Sequence, residues 1–175
     1  NSRISQCRGM LFQIFNKAVA NDLLNKNPAA YADKMRKARP KPKEAFTTRE
    51  VQLLLEKLPQ DKIGWSIRLM LGTGMRTQEL LGLEPRHIAE DGSTITIEQA
   101  VCMDKGTATL GTPKSFDSYR CSPVPENLRC YAMLLRDTED KFIWESSRKP
   151  GMPCNPSTFR TQFQKAVKGV EGVRV

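Results

Sequence analysis

Residues 72–83, GTGMRTQELLGL, interrupt an apolar stretch and then begin a new helical pattern. The preceding residues 63–71 are apolar on nearly every side, which predicts a buried helix. The glycines of 72–74 end that helix, and a short helix is predicted over 77–81 before Gly82. Arg76 is thereby fixed near the start of a short helix that lies between apolar turns.

An arginine in this position can bind an anion. Backbone N–H groups at a helix start attract negative charge, and a guanidinium can hold two phosphate oxygens at once. Glu79 lies one turn further on and could orient Arg76. The alternative is a purely structural Arg76–Glu79 pair that closes the turn, and spacing alone leaves both open. The glycines do not form a nucleotide-binding loop, because a further glycine and a preceding strand are missing.

The flanking residues predict an α+β domain that is mainly helical, with a small antiparallel sheet. On the N-terminal side, Thr47 and Glu50 match a capping box at the start of a helix. On the C-terminal side, TITI at 94–97 alternates as a strand does. We further expect two strands in 107–125, a helix over 127–137 with Leu134 inside, a loop over 150–156 and a helix over 157–168.

A second candidate residue is Lys114, within TPKSFDSYR at 112–120. The sequence predicts a turn near 115–118 between two strands, which places Lys114 at the tip of a hairpin. A lysine on such a tip can reach a reacting group and release a proton to it. An ordinary solvated lysine is the alternative that spacing alone leaves open.

The N-terminal part predicts an amphipathic helix over residues 2–26, ended by Asn27-Pro28, whose apolar face needs a covering element. Residues 32–44 follow as a basic linker, in which Pro40 and Pro42 favour extended chain. The linker is either simply solvated or in contact with phosphates; its basic residues include Arg36, Lys37, Arg39, Lys41 and Lys43.

Composition excludes several classes of protein. The 175 residues carry a formal net charge of +9 and one histidine, and no apolar run is long enough for a membrane span. No secretory signal is recognisable at the first residues. Five cysteines without CxxC spacing argue against a disulfide framework or a structural zinc site, so we expect reduced thiols and no metal.

The charge is clustered along the chain. Residues 1–44 carry a net charge of +7, residues 45–145 carry −3 and residues 146–175 carry +5. This distribution favours an anionic partner.

Three segments together resemble the tyrosine recombinase (phage integrase) family. The family's first arginine box resembles TGMRTQELLGL, and its lysine hairpin resembles PKSFDSYRCSP. The last helix of its DNA-binding core-binding domain resembles LFQIFNKAVANDLLNKNPA. The resemblance covers nearly the whole chain. It implies residues 1–31 from the core-binding domain, a linker over 32–44, and an incomplete catalytic domain over 45–175.

The resemblance also implies a function. Members of the family cut a DNA strand with a tyrosine, retain the bond energy in a 3′-phosphotyrosine and rejoin the strand, without a metal or nucleotide cofactor. Arg76 would hold the scissile phosphate, Glu79 would support it, and Lys114 would protonate the departing 5′ oxygen. Double-stranded DNA would contact the five linker residues and Arg120. The parent protein would form tetramers on DNA. It would be encoded by a bacterium or a phage and would act in the bacterial cytoplasm.

The sequence departs from the family pattern in its second half. Neither the His-x-x-Arg box nor the nucleophilic tyrosine is found in the 175 residues, because Tyr31, Tyr119 and Tyr131 do not match that position and His87 precedes the lysine hairpin. We therefore expect a recombinase fragment that is inactive by itself, and read His87 as a packed or solvated loop residue. A non-catalytic DNA-binding relative or decoy is the alternative. A third interpretation is an enzyme that uses a cysteine, but the sequence pattern offers no histidine partner for any cysteine.

Overall fold

The computed structural model describes residues 2–32, 44–104, 106–111 and 119–174. The chain divides into two compact units, Asn1–Glu44 and Ala45–Val175. The second unit is α+β, as the sequence predicts. It contains five α-helices, two 3₁₀ turns and six short strands within the described residues.

Over residues 2–32, the first unit contains helix α1 (Ser2–Ala20) and a 3₁₀ turn (Pro28–Ala30). The prediction of a helix up to residue 26 is wrong, because Asp22 takes a left-handed conformation with φ 57°. The Leu23 N–H then donates to the Ala18 carbonyl at 2.9 Å, which closes the helix end. The Asn27 side chain returns the following segment to α1 by donating to the Phe12 carbonyl at 3.0 Å.

Helices α2 (Thr48–Lys57) and α3 (Lys62–Thr73) begin the second unit. The predicted capping box of α2 is confirmed: the Glu50 N–H donates to Thr47 Oγ1, and the Thr47 N–H donates to a Glu50 carboxylate oxygen. The middle of helix α3 is buried, as the sequence predicts, with five buried residues between Gly64 and Leu69. The short helix α4 occupies Thr77–Leu81, also as predicted.

The strands form three antiparallel pairs. Strand β1 (Thr94–Ile97) pairs with β4 (Arg120–Pro123), β2 (Ala100–Asp104) with β3 (Thr107–Gly111), and β5 (Glu145–Ser146) with β6 (Lys149–Pro153). The sequence predicts β1, β3 and β4 but misses β2, because only one of its side chains is buried and the apolar alternation is absent. Strand β3 pairs with β2 rather than with the strand that follows it, and the turn predicted near 115–118 lies outside the described residues.

Two further sequence predictions are wrong. Residues 150–153 of the predicted loop belong to strand β6 (Lys149–Pro153), which pairs with β5 and whose Gly151 N–H donates to Glu145 Oε1 at 2.9 Å. Leu134, expected inside, is exposed on helix α5 (Arg129–Arg136). Leu128, Ala132 and Leu135 fill the buried face at helical spacing, so position 134 falls outside it.

The core of the second unit holds the elements that surround α4. One buried cluster joins Leu80, Leu81 and Leu83 to strand β1 and to helix α6 (Pro156–Lys168). Trp144 anchors it: its indole N–H donates to Ser66 Oγ at 2.8 Å, and its ring meets Phe159 edge-on at 4.9 Å between centroids. A smaller cluster of Leu54, Leu58, Ile67, Val167 and Val170 joins α2, α3 and the end of α6. These clusters give the residues before and after α4 a fixed backbone.

Candidate functional site

The turn between α3 and α4 directs Arg76 outward. Gly74 ends α3 in the left-handed region with φ 66°, which glycine adopts without strain. Met75 then enters the core, and Arg76 takes an extended conformation immediately before α4. Buried residues on both sides fix its backbone, while 71% of its side chain remains exposed.

Glu79 is the carboxylate that holds Arg76. Its side chain is only 6% exposed. Its Oε2 accepts the Arg76 backbone N–H at 2.8 Å, and its Oε1 accepts Arg76 Nη1 at 2.9 Å. The predicted proximity of Arg76 and Glu79 is therefore observed, with the backbone and the side chain of Arg76 both bound to one carboxylate.

A second arginine binds the same carboxylate from strand β4. Arg120 Nη1 donates to Glu79 Oε1 at 3.1 Å, and Arg120 Nη2 donates to Oε2 at 2.8 Å. This is the parallel two-bond geometry in which a guanidinium binds a carboxylate most strongly. Arg120 lies opposite Ile97 in the β1–β4 pair, and its side chain is 32% exposed.

The three side chains form a cationic site, because two guanidinium groups share one carboxylate. Burial alone raises the pKa of Glu79, but hydrogen bonds from Arg120 and Arg76 together outweigh that effect, so its pKa lies below the ordinary value. The hydrogen bonds to Glu79 raise the pKa of Arg120. Glu79 is therefore ionised at neutral pH, and a net positive charge remains at the surface. Such a site suits a phosphate oxygen.

The structure brings together three of the residues selected from the sequence, namely Arg76, Glu79 and Arg120. Sequence analysis missed the contact between Glu79 and Arg120, which lie 41 positions apart. The sequence signals for this contact were the alternating strand at 94–97 and the basic residue Arg120 in a second predicted strand, and they do not show that the two strands pair. The other selected residues lie outside the described residues; they are Lys114, Arg36, Lys37, Arg39, Lys41 and Lys43.

His87 is buried in a 3₁₀ turn at Pro85–His87 and takes no part in this site. Its Nδ1 accepts the Glu84 N–H at 3.0 Å, and its Nε2 lies 3.4 Å from Glu98 Oε2. Burial, with the nearby Arg86, lowers the pKa of His87, so it stays neutral at neutral pH. These contacts agree with the interpretation of His87 as a packed residue.

Neither a metal site nor a membrane span is found in the part of the chain that the structure describes. No cluster of three His, Cys, Asp or Glu side chains could hold a metal ion there, and no helix there is long and apolar enough to cross a membrane. All five cysteines are free, and only Cys154 is buried. Burial raises the pKa of the Cys154 thiol, which makes it less reactive.

Several solved structures resemble the chain. The Tn1549 transposon integrase in complex with a circular intermediate DNA matches with a TM-score of 0.76 at 20% identity, over 96% of this chain and 58% of that one. A lambda integrase dimer bound to a COC′ core site matches with a TM-score of 0.58 at 18% identity, over 96% of this chain and 45% of that one. The XerA recombinase matches with a TM-score of 0.55 at 18% identity, over 77% of this chain and 46% of that one.

These structures establish the fold that the sequence motifs predict. The chain has the tyrosine recombinase (integrase) fold, and its second unit is α+β. It spans 58% of the Tn1549 integrase chain. Comparison with protein-family profiles gives no match, and no curated protein sequence matches the chain.

Proposed function

We propose that this chain binds double-stranded DNA and supplies part of the active site of a site-specific recombinase. That enzyme cleaves and rejoins DNA strands through a 3′-phosphotyrosine intermediate, acts as a tetramer on DNA and works in the bacterial cytoplasm. Residues 1–31 belong to a core-binding domain, 32–44 to a basic linker and 45–175 to the catalytic domain. The likeness in fold to integrases solved with DNA supports this proposal.

The observation that carries the proposal is the exposed guanidinium of Arg76 on a buried carboxylate. Glu79 binds the backbone N–H and Nη1 of Arg76. The Nε and Nη2 of Arg76 donate no hydrogen bond within the described residues, and 71% of the side chain is exposed. A scissile phosphate develops negative charge on its non-bridging oxygens, and a guanidinium positioned beforehand stabilises that charge without reorganisation.

Lys114 completes the part of the reaction assigned to this chain. As a general acid, its ammonium protonates the 5′ oxygen that leaves when the tyrosine attacks the phosphorus. The phosphotyrosine bond retains the energy of the broken diester, so the reaction requires neither a metal nor a nucleotide. The nucleophile and a second arginine box come from residues outside these 175, because no tyrosine of the chain matches the family position.

Binding to a fluorescent DNA duplex tests the role of Arg76. We expect Arg76→Ala to weaken binding roughly tenfold to a hundredfold, because hydrogen bonds to charged groups contribute about 1.5–3 kcal/mol. The matched control is Arg86→Ala, which removes another exposed arginine paired with a glutamate of the same unit, at 2.8 Å from Glu84. Equal losses for the two variants would contradict a specific role for Arg76.

The salt dependence of DNA binding tests the linker. Replacing Arg36, Lys37, Arg39, Lys41 and Lys43 by glutamine should flatten the plot of log affinity against log salt by about one unit for each phosphate that the linker no longer neutralises. Unchanged affinity and slope would remove the linker from the DNA surface.

The alternative is a non-catalytic DNA-binding protein, favoured by a basic linker together with only half of the expected active site. A nicked suicide substrate distinguishes the two when it is mixed with a polypeptide that extends this chain beyond residue 175. A recombinase traps a covalent complex that resists denaturation, and Arg76→Ala reduces that trapping about 100-fold or more. A decoy binds the DNA without forming the covalent bond.

A further inference from the structure

Arg120 occupies an unusual position for a residue expected to contact DNA, because its guanidinium is directed at Glu79. We infer that Arg120 is a positioning residue: it fixes the Glu79 carboxylate and, through it, the guanidinium of Arg76. It thereby links the arginine box to the strand that follows the Lys114 segment. The inference rests on the proposed function for what Arg76 does, and on the geometry for what Arg120 does.

Each oxygen of the Glu79 carboxylate serves both arginines. Oε1 accepts Arg76 Nη1 at 2.9 Å and Arg120 Nη1 at 3.1 Å. Oε2 accepts the Arg76 backbone N–H and Arg120 Nη2, both at 2.8 Å. The two parallel bonds from Arg120 lock the rotation of the carboxylate plane, and that plane sets where Arg76 Nη1 lies. Without Arg120, only the two hydrogen bonds from Arg76, three positions earlier in the chain, would orient the carboxylate within the described residues.

Strand β4 is a rigid base for this contact. It pairs with β1, whose Ile95 and Ile97 are fully buried. The Val124 N–H, just past the strand, donates to the Ser93 carbonyl at 2.8 Å. Ser122 Oγ lies 3.5 Å from the Thr73 carbonyl at the end of α3, which gives β4 a second contact with the segment before Arg76. The position of Arg76 therefore depends on β4 as well as on α4.

The exposure of the two arginines supports a division of roles. Arg76 is 71% exposed and leaves donors free of hydrogen bonds within the described residues, whereas Arg120 is 32% exposed and commits both terminal nitrogens to Glu79. A residue that contacts DNA only by its charge would tolerate lysine. A residue that holds a carboxylate through two parallel bonds would not, because lysine is a single point donor.

A double-mutant cycle in duplex DNA binding tests the inference. We expect Arg120→Met to weaken binding about tenfold in the wild-type background and to have no further effect when Arg76 is already alanine. Arg120→Lys, which keeps the charge and so protects the fold, should still weaken binding several-fold. Additive losses, or wild-type affinity for Arg120→Lys, would show that Arg120 acts as an independent charge and would overturn the inference.

Hydrogen exchange of the Arg76 amide gives a measurement that needs no DNA. That N–H donates to Glu79 Oε2, so Arg120→Lys and Arg120→Met should each speed its exchange about tenfold or more relative to the Leu80 amide. Arg86→Met is the matched control and should leave it unchanged. If the wild-type chain binds no DNA, the proposed function fails while this exchange rate still decides the inference. Unchanged Arg76 exchange in both Arg120 variants would overturn it.

Discussion

At the scale of single residues, Arg68 is an arginine in the interior of the α2–α3 pair. It is fully buried, and its three nitrogens donate to the carbonyls of Leu55, Pro59 and Leu58 at 2.9, 3.0 and 2.7 Å. Its guanidinium also lies 5.0 Å from the centre of the Tyr131 ring. The carbonyls at the C-terminal end of α2 carry partial negative charge, which a cation stabilises. Arg68 therefore joins the end of α2 to α3.

We predict that Arg68→Met destabilises the protein by about 3 kcal/mol or more, because three carbonyls lose their donor at once. Arg68→Lys should restore little of the lost stability, because one ammonium group cannot replace the three guanidinium nitrogens that bind three separate carbonyls. The measurement is urea unfolding followed by circular dichroism. Arg160→Met on the exposed face of α6 is the control, and an equal loss there would show that the effect is not specific to Arg68.

Single residues also set the limit of sequence-based prediction. The apolar pattern of 63–71 predicts the burial of α3 correctly, but it cannot reveal that Arg68 is buried with it. The reason is that the stabilising groups are backbone carbonyls up to 13 positions earlier in the chain, which carry no residue-type signal. The Glu79–Arg120 contact was missed for a similar reason, since it requires the register of β1 and β4 to be known.

At the scale of elements, the packing of α3 against the turn that follows α2 requires a glycine. A Cβ added to Gly64 would collide with the Pro59 carbonyl oxygen and would lie 3.1 Å from Arg68 Nη1. That carbonyl is the one that Arg68 binds. Any side chain at position 64 would therefore separate α3 from the turn and disturb the Arg68 contacts together.

We predict that Gly64→Ala destabilises the protein by about 3 kcal/mol, even though alanine is the better helix former, because the collision is with backbone that cannot move aside. The control is Gly9→Ala in α1, where an added Cβ meets no atom within 4 Å. Thermal unfolding of both variants checks this. A stable Gly64→Ala protein would mean that α3 can shift away from residue 59.

Elements differ in how well their sequence predicts them. The boundaries of α2 and α4 follow from local signals, namely the Thr47–Glu50 capping box and the glycines at 74 and 82. Strands β2 and β6 depend on pairing with a neighbour, because their own residues lack alternation or include proline and glycine. Pairing is a property of two segments, so a single segment cannot reveal it.

At the scale of the whole molecule, Glu50 connects the two ends of the second unit. Its Oε1 accepts the backbone N–H of Arg174 at 3.0 Å and Arg174 Nε at 2.8 Å, and its Oε2 accepts Arg174 Nη2 at 3.0 Å. Arg174 also donates to the Ala45 carbonyl. Hydrogen bonds from Arg174 and from the Thr47 backbone hold the pKa of Glu50 far below its ordinary value. The start and the end of the unit are thus tied by one carboxylate.

We predict that Glu50→Gln lowers the urea midpoint at pH 7. A carboxyl with a lowered folded-state pKa contributes stability above its unfolded-state pKa, about 4.3, and loses it as the pH falls further. The difference in urea midpoint between the wild type and Glu50→Gln should therefore narrow steadily as the pH falls below about 4.3. Urea unfolding at several pH values checks this, with Glu56→Gln on the exposed face of α2 as the control. A difference independent of pH would contradict an ionic role.

The Glu50–Arg174 contact has a consequence for the order of events in folding. It joins residues 124 positions apart, and closing a loop of that length costs about 4 kcal/mol of chain entropy. We expect such a contact to form after the intervening helices and strands have shortened the path, and therefore after the transition state. Breaking it should speed unfolding and leave the refolding rate nearly unchanged. The carboxylate that caps the first helix of this unit would then also complete the folding of the unit.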